Sequence, residues 1–176
     1  MIKTKISEEF YPISADGLSR LHWKLKRSLI KDNYGNKMVA KTDWDVDWQV
    51  HTLSNNQICL ASEIIVDVTI KYTYPKWSDI AFAPQKDRYL WNKYIDALKK
   101  HEEGHAEIGK EAGEKIEKAL MSVNSAKTCL ELEKALRGKA DVIYSEYVNK
   151  NSSYDGETSH GANQGAVLPL PADTLK

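Results

Sequence analysis

The spacing of hydrophobic and polar residues changes once along the chain, from every second position to every third or fourth. Between Val39 and Tyr74 apolar and polar residues alternate, which is typical of strands with one face in a core and the other in water. The alternating apolar positions are Trp44, Val46, Trp48 and Val50, followed by Ile64, Val66, Val68, Ile70 and Tyr72. Ser54-Asn55-Asn56 interrupts the pattern, which predicts a tight connection and an antiparallel pair within a larger sheet.

A helical period follows this sheet-like region. The positions that recur every three or four residues are Trp91, Tyr94, Leu98, Ile108, Ala112, Ile116, Ala119 and Val123. They predict one long helix from about Lys86 to Ser122, with Asp87 as a candidate cap. Three glycines at 104, 109 and 113 interrupt it at about 1 kcal/mol each, which suggests that another backbone approaches closely there. A second helix is predicted from about Ala126 to Asn149.

Shorter elements are predicted at the two ends of the chain. We expect a strand from Glu8 to Ser14, a helix from Leu18 to Ile30 and a loop at 32–36. After Lys150 the Ser-, Asn- and Gly-rich composition predicts a flexible loop. The whole pattern predicts one α+β domain over 1–176, with a mostly antiparallel sheet in 1–85, two helices in 86–150, and a ligand-bearing loop and tail in 151–176.

Composition argues against two kinds of partner. Lys and Arg together number 25, as do Asp and Glu, so the formal net charge is zero and no overall field attracts nucleic acid or an anionic membrane. The chain has no run of about eighteen apolar residues, so we expect no membrane span. Met1 to Lys5 also lack the apolar centre of a secretory signal.

One segment of the long helix carries a pattern with chemical meaning: His101-Glu102-Glu103-Gly104-His105. Two imidazoles four positions apart lie on one face of a helix and can reach one ion, while Glu102 lies about 100° round and can hold a water molecule. Both histidines continue the apolar stripe, where an uncompensated imidazole would cost desolvation energy. The alternative is a solvated surface helix, because charged residues flank the motif. The placement favours the H-E-x-x-H site of zinc metallopeptidases and a zincin-like fold.

A catalytic zinc ion needs a third protein ligand, and the fourth position holds water. His160 is the candidate that remains after the residues too near on the same helix and the two amino-terminal histidines are set aside. Gly161 and Gly165 beside it permit the close backbone approach of a site loop. A rival scheme takes the third ligand from the second helix, which offers Glu131, Glu133 and Glu146.

The two cysteines leave two interpretations open. Cys59 lies in a strand-like stretch and Cys129 in a helix-like one. A disulfide between them would close a long loop and imply an oxidising compartment. The other possibility is a pair of buried free thiols, which the missing signal segment favours unless a leader has been removed.

A second motif follows the histidine pair: Tyr154-Asp155-x-x-Thr158-x-His160-Gly161-x-x-Gln164-Gly165. Together the two motifs resemble the bacterial family of predicted secreted zinc-dependent proteases, long catalogued as a domain of unknown function. The resemblance covers most of the chain, including a Pro-x-Trp turn at Pro75 to Trp77. It implies a secreted or periplasmic protein whose leader is absent from this sequence, and a structural disulfide between Cys59 and Cys129. It supplies no substrate.

These observations lead to one mechanistic hypothesis. Zinc is held by three imidazoles, those of His101, His105 and His160. Glu102 is the general base that takes a proton from the attacking water. Tyr154 is the candidate donor to the oxyanion, or else a core aromatic, and Asp155 orients a ligand imidazole, or else caps a turn. The expected substrate is a peptide. The alternatives are another amide, such as a cell-wall cross-link, and a non-catalytic binding protein that zinc stabilises.

Overall fold

The computed structural model describes residues 1–32, 35–55 and 57–169, and it is an α+β fold. Its strands are β1 (Ile2–Ile13), β2 (Ile30–Lys31), β3 (Lys37–Met38), β4 (Lys41–Ser54), β5 (Cys59–Trp77) and β6 (Ser125–Ala126). Its helices are α1 (Leu18–Arg27), α2 (Gln85–Met121) and α3 (Cys129–Thr158), with short 3-10 turns at Ile80–Phe82 and Ala162–Gln164. The predicted loop at 32–36 and the connection at 54–56 each include residues outside the described ranges.

The main sheet is mixed, with the long strand β5 between β1 and β4 and with β6 also paired to β5. The N–H of Val66 donates to the carbonyl of Met1 and that of Ser78 to the carbonyl of Ile13, so β1 and β5 run in the same direction. By contrast, β6 is antiparallel to β5, with Ala126 opposite Cys59. The sequence predicts a mostly antiparallel sheet because a period of two identifies a strand without giving its direction. The long connection from β1 to β5 permits the parallel pairing.

The predicted faces of the amino-terminal elements are confirmed, while their ends differ. Val66, Val68, Ile70 and Tyr72 are buried along β5, and Leu18, Leu21 and Leu25 along α1. Helix α1 ends at Arg27, and Ile30 belongs to β2. Strand β1 begins six residues before the predicted strand. Its side chains are almost all exposed, so they carry little alternation for a sequence to reveal.

Helix α2 agrees with the prediction within one residue at each end, but two details change. The carboxylate of Asp87 accepts a 2.9 Å hydrogen bond from the N–H of Leu18, so it serves the first turn of α1, although Asp87 itself lies in the first turn of α2. Two glycines of α2, Gly109 and Gly113, face side chains instead of another backbone. A Cβ added at Gly109 would lie 2.7 Å from Cγ of Trp44, and one at Gly113 would lie 2.4 Å from Cγ2 of Val68.

Helix α3 extends nine residues past its predicted end at Asn149, so 151–158 is helical and the loop prediction for these residues is wrong. Its buried residues are Leu132, Leu136, Ala140 and Tyr147. Asn151, Asp155 and Thr158 continue this spacing of threes and fours with polar side chains. The segment therefore keeps a helical period that its composition conceals. The ligand-bearing part of the chain is a helix followed by a short loop.

The chain forms two compact units. One comprises Met1–Ile6, Trp44–Ile70 and His105–Tyr154. Its buried residues include Val66, Val68, Ile116, Leu120, Leu132, Leu136 and Ala140. The other comprises Ser7–Asp43, Lys71–Gly104 and the described chain from Asp155 onward. Its buried residues include Leu18, Leu21, Leu25, Tyr74, Trp77, Trp91, Tyr94 and Leu98. The single domain over 1–176 stays a prediction.

A disulfide joins Cys59 at the start of β5 to Cys129 at the start of α3, with Cα atoms 5.1 Å apart. The pairing implied by the family resemblance is confirmed. None of the helices within 1–32, 35–55 and 57–169 has an apolar stretch long enough to cross a bilayer.

Candidate metal centre

Helix α2 places three polar side chains on its buried face. His101, Glu102 and His105 are only 3%, 3% and 5% exposed. The two histidines lie one turn apart between buried Leu98 and Ile108, as their spacing predicts. Buried polar groups of this kind require partners, and each of the three has them.

His101 contacts an amide oxygen on one side of its ring and a carboxylate on the other. Nδ1 lies 2.9 Å from Oε1 of Gln164, and Nε2 lies 3.2 Å from Oδ1 of Asp155. An amide oxygen only accepts, so a hydrogen bond here requires the proton of the ring to be on Nδ1. In the neutral ring Nε2 then presents a lone pair to the carboxylate. A cation between the two atoms would relieve that opposition, because two ligands of a tetrahedral zinc ion lie about 3.3 Å apart.

His105 has the same kind of environment, supplied by α3. Its Nδ1 lies 2.9 Å from Oδ1 of Asn151. The ring of Tyr154 meets the imidazole edge-on, with centroids 4.9 Å apart and planes at 87°. Asn151 and Tyr154 are three residues apart on one face of α3, so a single helix turn both orients and covers His105.

One ligand atom from each of His101, His105 and Asp155 lies within 4.8 Å of the other two. This group of two imidazoles and one carboxylate, which we call the ligand cluster, could bind a metal ion, and zinc is one ion that takes such donors. Two of the three predicted zinc ligands are therefore brought together. The third position in the cluster is Asp155, for which the sequence predicts the lesser role of orienting an imidazole.

The predicted third ligand, His160, lies next to the cluster and outside it. Its side chain is 75% exposed, and Nδ1 lies 3.4 Å from Oδ1 of Asp155. Its backbone φ of 51° is in the left-handed region. The rival glutamates at 131, 133 and 146 on α3 are exposed. A ligand role for His160 stays a prediction.

Glu102 is held by strand β4. The hydroxyl of Thr42 lies 2.8 Å from Oε2 of Glu102, where it can donate to the carboxylate. Among the described residues the cluster does not include this carboxylate, and the role of Glu102 as a base stays a prediction. The charge of Glu102 also affects Tyr74: burial of the Tyr74 phenol raises its pKa most, and the negative charge of Glu102 raises it further.

A tight loop after α3 brings Gln164 back to His101. Gly161 and Gly165 have φ of 82° and 91°, which favour glycine. A Cβ added at Gly161 would lie 2.9 Å from Cγ of His101, so the loop backbone packs directly on the imidazole. The predicted close backbone approach is thus confirmed in this loop, at Gly161.

Thr42, Asn151 and Gln164 belong to the site, although the sequence alone predicts no role there for any of them. Asn151 could have been found, because it lies one turn after Tyr147 and one turn before Asp155 on α3. Thr42 and Gln164 come from separate parts of the chain, where no spacing relates them to the histidines. For Trp44 the alternating pattern predicts only a place on the inward face of its strand.

Residues 8–161 match the model of a family described as bacterial protein of unknown function (DUF922). No curated protein and no solved structure matches the chain. The match covers most of the chain and carries neither an activity nor a motif, so zinc dependence and proteolysis remain predictions.

Proposed function

The chain belongs to the DUF922 family of bacterial proteins, and we propose that it is a zinc-dependent hydrolase that cleaves peptide bonds. The observation that carries the proposal is the ligand cluster, in which His101 and His105 are buried on α2 and Asp155 is half-buried on α3. The Nδ1 atom of each imidazole lies 2.9 Å from a side-chain amide oxygen. Metal-binding histidines typically donate their second ring N–H in this way.

A salt bridge between a protonated His101 and Asp155 is the simpler account of their 3.2 Å contact. It leaves unexplained why a second buried imidazole, that of His105, lies within reach of the same carboxylate. A neutral imidazole pair with one carboxylate is a donor set suited to a divalent ion. The proposal therefore treats the cluster as a metal site.

A divalent cation held by His101, His105 and Asp155 would supply positive charge that polarises a carbonyl oxygen and makes a water molecule more acidic. Glu102, oriented by Thr42, accepts a proton from the water as its oxygen bonds to the carbonyl carbon. The same carboxyl group then gives the proton to the amide nitrogen as the C–N bond breaks, which yields a carboxylic acid and an amine. Tyr154 is proposed to donate a hydrogen bond to the oxyanion that develops on the carbonyl.

A substitution of the proposed base tests the function directly. Glu102→Gln is expected to retain zinc, measured by metal analysis after dialysis, and to lose hydrolysis by about 10²-fold or more. Glu103→Gln is the matched control, because Glu103 is the exposed neighbour on the same helix. Turnover by Glu102→Gln equal to that of the control would refute the role of the base.

The substrate class is tested with a panel. Casein, peptidoglycan and small acyl amides are offered to the zinc-loaded protein, and cleavage of casein is expected. Cleavage of peptidoglycan alone would instead assign a cell-wall amide hydrolase. Inactivity on every substrate, with loss of fold on chelation, would assign the metal a structural role.

The location of the protein is part of the proposal. A disulfide such as Cys59 to Cys129 persists in oxidising compartments and is rare in reducing ones. The bond thus supports an extracellular or periplasmic site of action.

A further inference from the structure

We infer that Trp44 is a positioning residue that determines which nitrogen of His105 is available as a ligand. The inference rests on the proposed metal site, and it assigns a new role to a tryptophan whose spacing predicts only a strand face. Trp44 acts through the side-chain amide of Asn151.

The indole sets the orientation of the amide. Nε1 of Trp44 donates a 2.8 Å hydrogen bond to Oδ1 of Asn151. An indole N–H can only donate, so its partner must be the amide oxygen and not the amide nitrogen. The two orientations of an asparagine amide differ little in shape, so packing alone does not distinguish them. The indole donor does. Trp44 therefore makes the amide of Asn151 present an acceptor.

The orientation of the amide sets the tautomer of His105. The same Oδ1 lies 2.9 Å from Nδ1 of His105, and a carbonyl oxygen has lone pairs for two donors. Nδ1 must carry the proton, and Nε2 of the neutral ring then carries the lone pair. If the amide were reversed, its NH₂ group would face Nδ1 and favour the opposite tautomer. In that case the proton would sit on Nε2, where it competes with a cation.

The indole itself is held on two sides. A Cβ added at Gly109 would lie 2.7 Å from Cγ of Trp44 and 2.8 Å from its Cβ, so only glycine leaves room for the indole against α2. The ring of Tyr144 packs against the indole at a centroid distance of 5.6 Å, and its hydroxyl donates a 2.9 Å hydrogen bond to Asp45. These contacts explain why Gly109 is accepted inside a long helix despite its cost of about 1 kcal/mol.

The first measurement uses the metal-free protein. Long-range ¹H–¹⁵N NMR of the histidine rings distinguishes Nδ1–H from Nε2–H and needs neither zinc nor a substrate. The wild type is expected to show His105 with its proton on Nδ1, and Trp44→Phe is expected to show a mixture. An Nε2–H tautomer in the wild type would overturn the inference, whether or not any variant folds.

The second measurement is zinc affinity by competition with a chromophoric chelator. Trp44→Phe is expected to weaken binding by about 10- to 100-fold. Trp48→Phe, four residues along the same strand, is the control and should bind as the wild type does. Unchanged affinity in Trp44→Phe would refute the inference.

A rescue separates positioning from packing. In Asn151→Asp both oxygens of the side chain accept, so no donor is needed to orient it. Trp44→Phe is therefore expected to cost little affinity in the Asn151→Asp background. An equal loss in both backgrounds would show that Trp44 acts by packing alone. A protein that passes these tests but hydrolyses nothing would refute the proposed function and leave this inference intact.

Discussion

The hydroxyl of Thr42 lies 2.8 Å from Oε2 of Glu102 and 3.0 Å from the main-chain oxygen of the same residue. Thr42→Val keeps the shape of the side chain and removes the donor to a buried carboxylate. We expect the free energy of unfolding to fall by about 1 to 3 kcal/mol and the hydrolytic rate to fall with it. Urea denaturation and turnover measure the two effects. Thr42→Ser retains the hydroxyl and should stay near wild type. A Val variant as stable and active as the Ser variant would contradict the prediction.

Asp155 and His160 are the two candidates for the third ligand position, and their substitutions should differ in the effect on zinc affinity. Asp155→Ala removes a member of the ligand cluster and is expected to weaken zinc binding by about 10-fold or more. His160→Ala removes a side chain that is 75% exposed and is expected to leave zinc binding nearly unchanged. Isothermal titration with zinc compares the two variants, with the exposed Asp141→Ala on the same helix as control. The reverse order of affinities would restore the ligand set of three histidines.

Gly161→Ala should disturb the site through the backbone. Its φ of 82° disfavours any residue with a Cβ, and the new Cβ would lie 2.9 Å from Cγ of His101. We expect a loss of stability of about 1 to 2 kcal/mol together with weaker zinc binding. Gly156→Ala is the matched control, because Gly156 lies in α3 with nothing within 4 Å of the added Cβ. That variant should gain up to about 1 kcal/mol. Thermal melting of both variants checks the opposite signs.

Tyr94 makes the fold sensitive to alkali. It is 5% exposed, and burial raises the pKa of its phenol to about 12. Because an unfolded tyrosine ionises near pH 10, the stability due to the neutral buried phenol is complete below pH 10 and is lost as the pH rises toward 12. The loss from this residue should amount to about 2 to 3 kcal/mol. Urea denaturation at pH 9 and pH 11 should show a smaller decrease for Tyr94→Phe than for Tyr89→Phe, the exposed control on α2. Equal decreases would exclude Tyr94 as the source.

Much of the fold follows from periodicity alone. The alternation around Val66 and Val68 and the stripe through Leu98 and Ile108 place β5 and α2 close to their observed bounds. These elements bury apolar side chains on one face, so their period is visible in the sequence. Strand direction is not visible, because β1 pairs with β5 through backbone groups that every residue possesses.

The site was predictable only where its residues share one element. His101 and His105 are one turn apart on α2, so their common face follows from helix geometry. The composition around Asp155 predicts a loop and so gives this residue no fixed place beside the histidines, although its position one turn after Asn151 fits α3. Gln164 approaches His101 only because the loop turns back at Gly161 and Gly165, and this long-range contact has no counterpart in local spacing.

Helix α3 is attached by different chemistry at its two ends. A covalent sulfur bridge anchors its first residue, Cys129, to Cys59, and near its last turns Asn151 and Asp155 meet imidazoles. A reductant would therefore loosen the first turn of α3, and a chelating agent that removes the proposed metal ion would loosen its last turns. Hydrogen exchange along this helix should report thiol–disulfide state at one terminus and ion occupancy at the other.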